Sequence, residues 1–286
     1  MTQQRRIKRP IKGITYDFAD PVLIEAPEPL CVHVLPGRGT RLVLSLAGVG
    51  FARKLTPQRE FPGSASQGGE NHVLFISDRS RSWMNGPGVK DAILDIVARY
   101  KAAHGITEVV AMGNSMGGFA ALVLADLMPI NTVIAMSPQF SAHPRLVPEE
   151  TRWWFYRRQI NAWEFADVGP LAQSGTRYFI FHADAPEEVA HWARFPKDTR
   201  IHHFIVTGED HNLARTLQKR GLLRKAVGAA IAGKPRRVRL ALERGFLDRQ
   251  LCVMRREVFE ATFPDIVPGL LAPATVPPKG TKGTTP

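Results

Sequence analysis

The residues with the clearest chemical spacing are Gly113, Ser115 and Gly117, in the run Met112-Gly113-Asn114-Ser115-Met116-Gly117-Gly118. A G-x-S-x-G pattern places a serine on a sharp strand-to-helix turn, with its hydroxyl lifted clear of the backbone. Side chains two residues before or after such a serine collide with neighbouring backbone, so glycine fills both places. A serine hydroxyl is a poor nucleophile at neutral pH and needs a base within hydrogen-bond reach, itself oriented by a third group. Nine histidines compete for the first role. His202 and His203 sit inside an apolar run, and His182 and His191 belong to the unit before it. His211, in Thr207-Gly208-Glu209-Asp210-His211-Asn212, directly follows the last apolar run and is the expected base. The expected acid is Asp184, at the end of Tyr178–His182, with Glu187 or Glu188 as the alternatives. Asp184-Ala185-Pro186-Glu187 also reads as a helix N-cap, so this carboxylate has two competing jobs.

The surrounding elements must deliver these groups to one place. Glu108–Ala111, before the serine, is a short valine-rich run that reads as a buried strand. Phe119-Ala120-Ala121, after it, opens a small-residue helix whose N-terminus favours negative charge beside the serine. Further strands are read at Leu30–Val34, Arg41–Leu46, His72–Ile76, Thr132–Met136, Tyr178–Phe181 and Ile201–Thr207, the first two joined by the turn 36–40. Helices are read at Asp91–His104, Pro186–Phe195, Asn212 to about Ala232 and Arg237 to about Glu260, and a loop at Pro57–Gly69. The alternation predicts an α/β fold: a mostly parallel central sheet with helices on both faces. Ligands then bind beyond the carboxyl ends of the strands. The expected organisation is a basic arm over 1–20, a main domain over 21–232 with a helical cap inserted at about 137–176, a basic helical extension over 233–267, and a disordered tail over 268–286. The cap carries Trp153-Trp154-Phe155-Tyr156. Adjacent helical residues point about 100° apart, so these four rings must divide between a pocket and the body of the protein.

At these residues the chain resembles the α/β-hydrolase superfamily, in particular small bacterial serine hydrolases with a Gly-Asn-Ser-Met-Gly-Gly turn. The resemblance rests on that turn and on the chain order Ser115, Asp184, His211. It implies acyl transfer through an acyl-enzyme, with the amides of Met116 and Val49 as the oxyanion hole. The family's His-Gly-rich loop is here Ala47-Gly48-Val49-Gly50, with no histidine. Gly48, Asn114, Trp153, Trp154 and Tyr156 are the expected substrate-side residues. The implied enzyme is an esterase, thioesterase or amidase acting on a small-molecule or glycan-linked acyl substrate, with no metal and no organic cofactor. The alternatives are an acyltransferase of the same fold and a non-catalytic protein that docks an anionic partner.

Charge is compatible with an anionic partner, and a solvated surface is the reading the composition favours. The 286 residues carry a formal net charge of +12. Much of it lies between Arg215 and Arg256, where Lys219, Arg220, Arg224, Lys225, Lys234, Arg236, Arg237, Arg239, Arg244, Arg249, Arg255 and Arg256 face only Glu243 and Asp248. Such a field attracts polyanions, though a solvated helix face gives the same composition. Cys31 and Cys252 are far apart and form no C-x-x-C pair, which speaks against a disulfide framework and a zinc site. No sustained apolar stretch follows the basic residues at the start, and Phe119–Met136 is broken by Asp126, Pro129 and Asn131, so neither a signal peptide nor a membrane span is expected. The expected location is the cytoplasm.

Overall fold

The protein is described by a computed structural model covering residues 20–50, 54–171, 173, 175–246 and 253–267. The arm before residue 20, the tail from 268 and Cys252 lie outside the described residues. Nine strands form one sheet: β1 (Val22–Ile24), β2 (Leu30–Leu35), β3 (Arg41–Leu46), β4 (His72–Asp78), β5 (Glu108–Asn114), β6 (Thr132–Met136), β7 (Arg177–Ala183), β8 (Ile201–Val206) and β9 (Val253–Arg255). Their spatial order is β1-β2-β4-β3-β5-β6-β7-β8-β9. β4, β3, β5, β6, β7 and β8 run parallel, and β1, β2 and β9 add antiparallel pairings at the two sides.

The helices are α1 (Pro62–Ser66), α2 (Val89–His104), α3 (Met116–Leu127), α4 (Trp154–Arg157), α5 (Pro186–Trp192), α6 (Leu213–Lys219), α7 (Leu223–Ile231), α8 (Pro235–Gly245) and α9 (Arg256–Thr262). They cover both sides of the sheet, so the central strands are buried along their length except at end residues such as Arg41, Glu108, Asn114 and Arg177. Val109, Ala111, Val133, Ala135, Tyr178 and Ile180 face a core shared with α2 and α3. Their neighbours Val110, Met112, Ile134, Met136, Phe179 and Phe181 face a second core built with α6, α7 and α8. This two-residue alternation between two apolar layers is why these strands read as continuous hydrophobic runs.

Two expectations change, and the strand order adds a finding. β4 lies between β2 and β3, which the turn joins without pairing them. The run Leu42–Leu46 is buried throughout and takes parallel partners on both sides, whereas β2 has only partly buried residues at His33 and Val34 and suits a position nearer the edge. The basic stretch after 237 is not one helix. α8 stops at Gly245, and β9 then covers the free edge of β8 before α9 begins. The segment 137–176 contains one helical turn, α4, among its described residues, rather than a helical cap. Pro138, Pro144, Pro148 and Pro170 interrupt helix continuation there. The buried Arg157 guanidinium instead donates to the carbonyls of Ala142, Glu150 and Arg152, folding the segment around a side chain. Smaller differences are a break at Gly221 (φ +69°) between α6 and α7, and the short helix α1 within the 57–69 loop.

Candidate active site

Ser115 sits between the last residue of β5 and the first of α3, at φ +55°. A non-glycine residue held there stores about 1–3 kcal/mol of backbone strain. Its neighbours explain how the turn closes. A Cβ on Gly113 would lie 2.2 Å from the carbonyl carbon of Gly117, and one on Gly117 would lie 2.1 Å from Leu46 O. A Cβ on Gly118 would come within 3.0 Å of Pro138 Cβ. The glycines therefore let β3, the turn and the segment after β6 converge on one serine.

Two loops bring the other polar groups. His211 lies between β8 and α6, with Nε2 3.0 Å from Ser115 Oγ. Its Nδ1 is 2.6 Å from Glu188 Oε1. A carboxylate that accepts from Nδ1–H leaves the Nε2 lone pair facing the serine hydroxyl, the tautomer a general base requires. Glu188 is buried in the first turn of α5. Burial alone would raise its pKa. The hydrogen bond and charge of His211, then the charges of His182 and Arg152, outweigh burial and hold the carboxyl below its ordinary range.

The structure does not bring Asp184 to His211. Its Oδ1 accepts from Gly208 N at 2.8 Å, tying the loop after β7 to the loop after β8. Asp184 stands at the strand end, whereas Glu188 lies one helical turn further along α5, where its side chain is directed back under the imidazole. Glu187, one residue earlier, is exposed. Asp184 is not the cap of α5 either: the N-cap residue is Ala185, with no side-chain cap bond.

Behind Glu188 lies a buried polar network from the 137–176 segment. Arg152 Nη1 is 3.7 Å from Glu188 Oε1, and Arg152 Nη2 is 2.6 Å from Glu150 Oε2. Glu150 Oε2 also accepts from His191 Nε2 at 3.0 Å. His191 Nδ1 accepts the Phe140 amide at 3.1 Å, so this imidazole is neutral. Burial raises Glu150, but the bonds from His191 and Arg152 dominate and keep it ionised far below the usual carboxylate range.

Gln139 touches the serine from the other side. Its Nε2 is 3.0 Å from Ser115 Oγ, and Trp83 Nε1 donates to its Oε1 at 3.3 Å. On the β3 side, Gly48 packs against the turn: a Cβ there would lie 2.9 Å from Asn114 O. The Gly48 amide is 3.4 Å from Glu60 Oε2. Burial raises the Glu60 carboxyl to about 7, against the opposing pull of that amide. The buried Arg81 guanidinium donates to Val49 O at 2.9 Å and to the carbonyls of Lys54, Leu55 and Arg79, holding the loop after β3. Met116 opens α3, so its amide has no intrahelical acceptor.

The four aromatic residues divide between solvent and core, with Trp153 preceding α4 at φ +61° and the other three on it. Trp154 and Phe155 are 62% and 58% exposed, while Trp153 and Tyr156 are partly buried and pack against the core under α3. Tyr156 also lies 4.9 Å from the Arg81 guanidinium. Sequence reasoning missed Gln139, Glu60, Arg81 and the Glu150–Arg152–His191 network. Of these only His191 carried a signal, as a histidine in the unit before the last parallel strand.

No family model matches the chain, and no curated protein matches it in sequence. Solved structures do match in shape. A capsule O-acetyltransferase of Neisseria meningitidis serogroup A aligns over 72% of this chain and 93% of its own, at 11% identity and a TM-score of 0.53. MPT51 (FbpC1) of Mycobacterium tuberculosis aligns over 74% and 99%, at 16% identity and 0.53. The thermostable carboxylesterase EstE1, cloned from a metagenomic library, aligns over 79% and 91%, at 14% identity and 0.51. At these identities the likeness concerns architecture: the chain has an α/β-hydrolase-like fold, a nine-stranded, mostly parallel mixed sheet flanked by helices.

Proposed function

We propose that this protein is a serine hydrolase acting on an acyl ester, thioester or amide through an acyl-enzyme on Ser115. The observation that carries this reading is the unbroken relay from Ser115 Oγ through His211 to the buried Glu188, built on a left-handed serine turn. His211 Nε2 takes the Ser115 proton as Oγ attacks the acyl carbonyl. The developing oxyanion is met by the amides of Met116 and Val49; one such donor is typically worth about a hundredfold or more in rate. Glu188, not Asp184, holds the His211 tautomer and stabilises the imidazolium. His211 then protonates the leaving group, and water, activated by the same imidazole, releases the acid.

The acyl-enzyme also serves transfer to an alcohol or amine. One structural neighbour is, by its name, an O-acetyltransferase.

Labelling with a fluorophosphonate probe tests the nucleophile directly. The wild-type protein is expected to label on Ser115, and Ser115→Ala to lose both labelling and hydrolysis of p-nitrophenyl acetate, by on the order of a millionfold. A wild-type protein that stays unlabelled, or a folded Ser115→Ala protein that turns over normally, overturns the reading. Product analysis with and without an added sugar alcohol separates hydrolysis from transfer.

A further inference from the structure

Gln139 has no part in the relay, yet its side chain bonds the reacting oxygen. The residue is fully buried. Trp83 Nε1–H can only donate, so it claims the amide oxygen, at 3.3 Å. That leaves the Gln139 NH2 as the nearer group to Ser115 Oγ, at 3.0 Å against 3.4 Å for Oε1, and sets the sense of the amide. The backbone on either side is pinned by buried imidazoles. His182 Nε2–H donates to Pro138 O at 2.9 Å, and His191 Nδ1 accepts the Phe140 N–H at 3.1 Å. His182 is held in that tautomer by His203, whose Nε2 lies 2.9 Å from His182 Nδ1. Pro138 also packs against Gly118, at the start of α3. So much fixed structure around one amide is more than a space-filling residue needs.

Resting on the acyl-enzyme reading above, we infer that Gln139 is a catalytic residue of the second half-reaction: its N–H stabilises Ser115 Oγ as the acyl group departs. The argument is differential binding. In the free enzyme Oγ is a hydroxyl oxygen and already accepts fully from Gln139, so attack gains little. In the acyl-enzyme the Oγ lone pair is delocalised into the ester carbonyl, and Oγ is a weak acceptor. When water attacks, giving its proton to His211, the carbon becomes tetrahedral and that delocalisation ends. Oγ gains electron density, and the Gln139 bond strengthens. The C–Oγ bond then breaks, Oγ recovers a proton from His211, and the carboxylic acid leaves. Gln139 exchanges no proton, so its contribution falls on deacylation and not on acylation.

The test compares the two half-reactions with p-nitrophenyl acetate. Acylation is read from the p-nitrophenolate burst, and deacylation from the decay of isolated acetyl-enzyme by intact mass. Gln139→Leu keeps the side-chain volume and removes the donor. Decay is expected to slow by about ten- to a hundredfold, the effect of one hydrogen bond to a developing charge, with acylation changed by less than about threefold. Decay at the wild-type rate, or equal losses in both steps, overturns the role. If Gln139→Leu does not fold, Trp83→Phe frees the amide to rotate and is expected to slow decay selectively; an unchanged ratio of the two rates there counts against the inference. A wild-type protein that never acetylates Ser115 overturns the hydrolase reading itself. Normal acylation with unaltered decay in the variants overturns only the role of Gln139.

Discussion

Exchanging Glu188 for glutamine asks which carboxylate serves His211. The wild-type pair is short, 2.6 Å, and Glu188 is almost fully buried. With the amide oxygen kept toward Nδ1–H, the tautomer survives but the charge facing the imidazolium is lost. Two unit charges about 4 Å apart at an effective dielectric near 20 interact by about 4 kcal/mol, equivalent to roughly a thousandfold in rate. With the amide turned the other way, its N–H drives the imidazole proton to Nε2, and the base is disabled; such a wrong tautomer costs about 10⁴. Glu188→Gln is therefore expected to lower kcat/KM by about 10³–10⁴. Asp184→Asn keeps an acceptor for the Gly208 amide and should stay within about twofold of wild type, as substitutions away from such machinery do. The assay is p-nitrophenyl acetate hydrolysis across pH 6–9, with thermal unfolding of each variant as the control. A folded Glu188→Gln protein within tenfold of wild type, or a thousandfold loss in Asp184→Asn, would refute the assignment.

Acid stability and surface charge give two more measurements. Burial holds His182 down at about 4, and it lowers His191 and His203 too, so these groups take up protons in the unfolded chain first and stability falls as pH drops from about 6.5 toward 4. Glu60, raised to about 7 by burial, works in the opposite sense, its destabilisation being relieved as pH falls from 7 toward 4.5. Glu60→Gln should then lose stability more steeply over that interval than wild type, by about 3 kcal/mol, in denaturant titrations at several pH values; equal slopes would contradict the burial of this carboxyl. On α7, α8 and the turn between them, Lys225, Lys234, Arg236, Arg237 and Arg244 are exposed, while Arg239 pairs with Glu243; Arg256, on α9, is buried against the Ala193 and Phe195 carbonyls. If this face docks a polyanion, heparin binding weakens steeply with salt and weakens again when Arg236, Arg237 and Arg239 are replaced by glutamine, with ester turnover unchanged. Salt-independent binding, or none, leaves the face a solvated one.

The serine turn was legible because its constraint is written in residue type: only glycine fits beside Leu46 O and the Gly117 backbone. The central strands were legible because two-sided burial leaves unbroken apolar runs such as Leu42–Leu46 and Thr132–Met136. His211 could be picked out by its place after the last parallel strand. The sequence favours Asp184 over Glu187 and Glu188, and the structure has Glu188 instead, because the choice depends on the angle at which α5 leaves the sheet. Gln139 left no trace, because a neutral amide gains its role only from Trp83, 56 positions away. The three-residue strands β1 and β9 are too short to show a period, and the one-turn α4 is shaped by Arg157 rather than by propensity.

The sources of the groups around Ser115 Oγ bear on how the chain reaches its working state. The serine belongs to the β5–α3 connection, Gln139 comes 24 residues later, and His211 stands 96 residues beyond the serine, after three further parallel strands. Loop closure over such separations is compensated only when β6, β7 and β8 have docked in order. A partly folded chain ending before β8 can bury much of the first core and still hold no base. Ester turnover should consequently appear only with the last, slowest stage of refolding, after most helical signal has returned, which makes activity the strictest available report that every parallel strand has found its place.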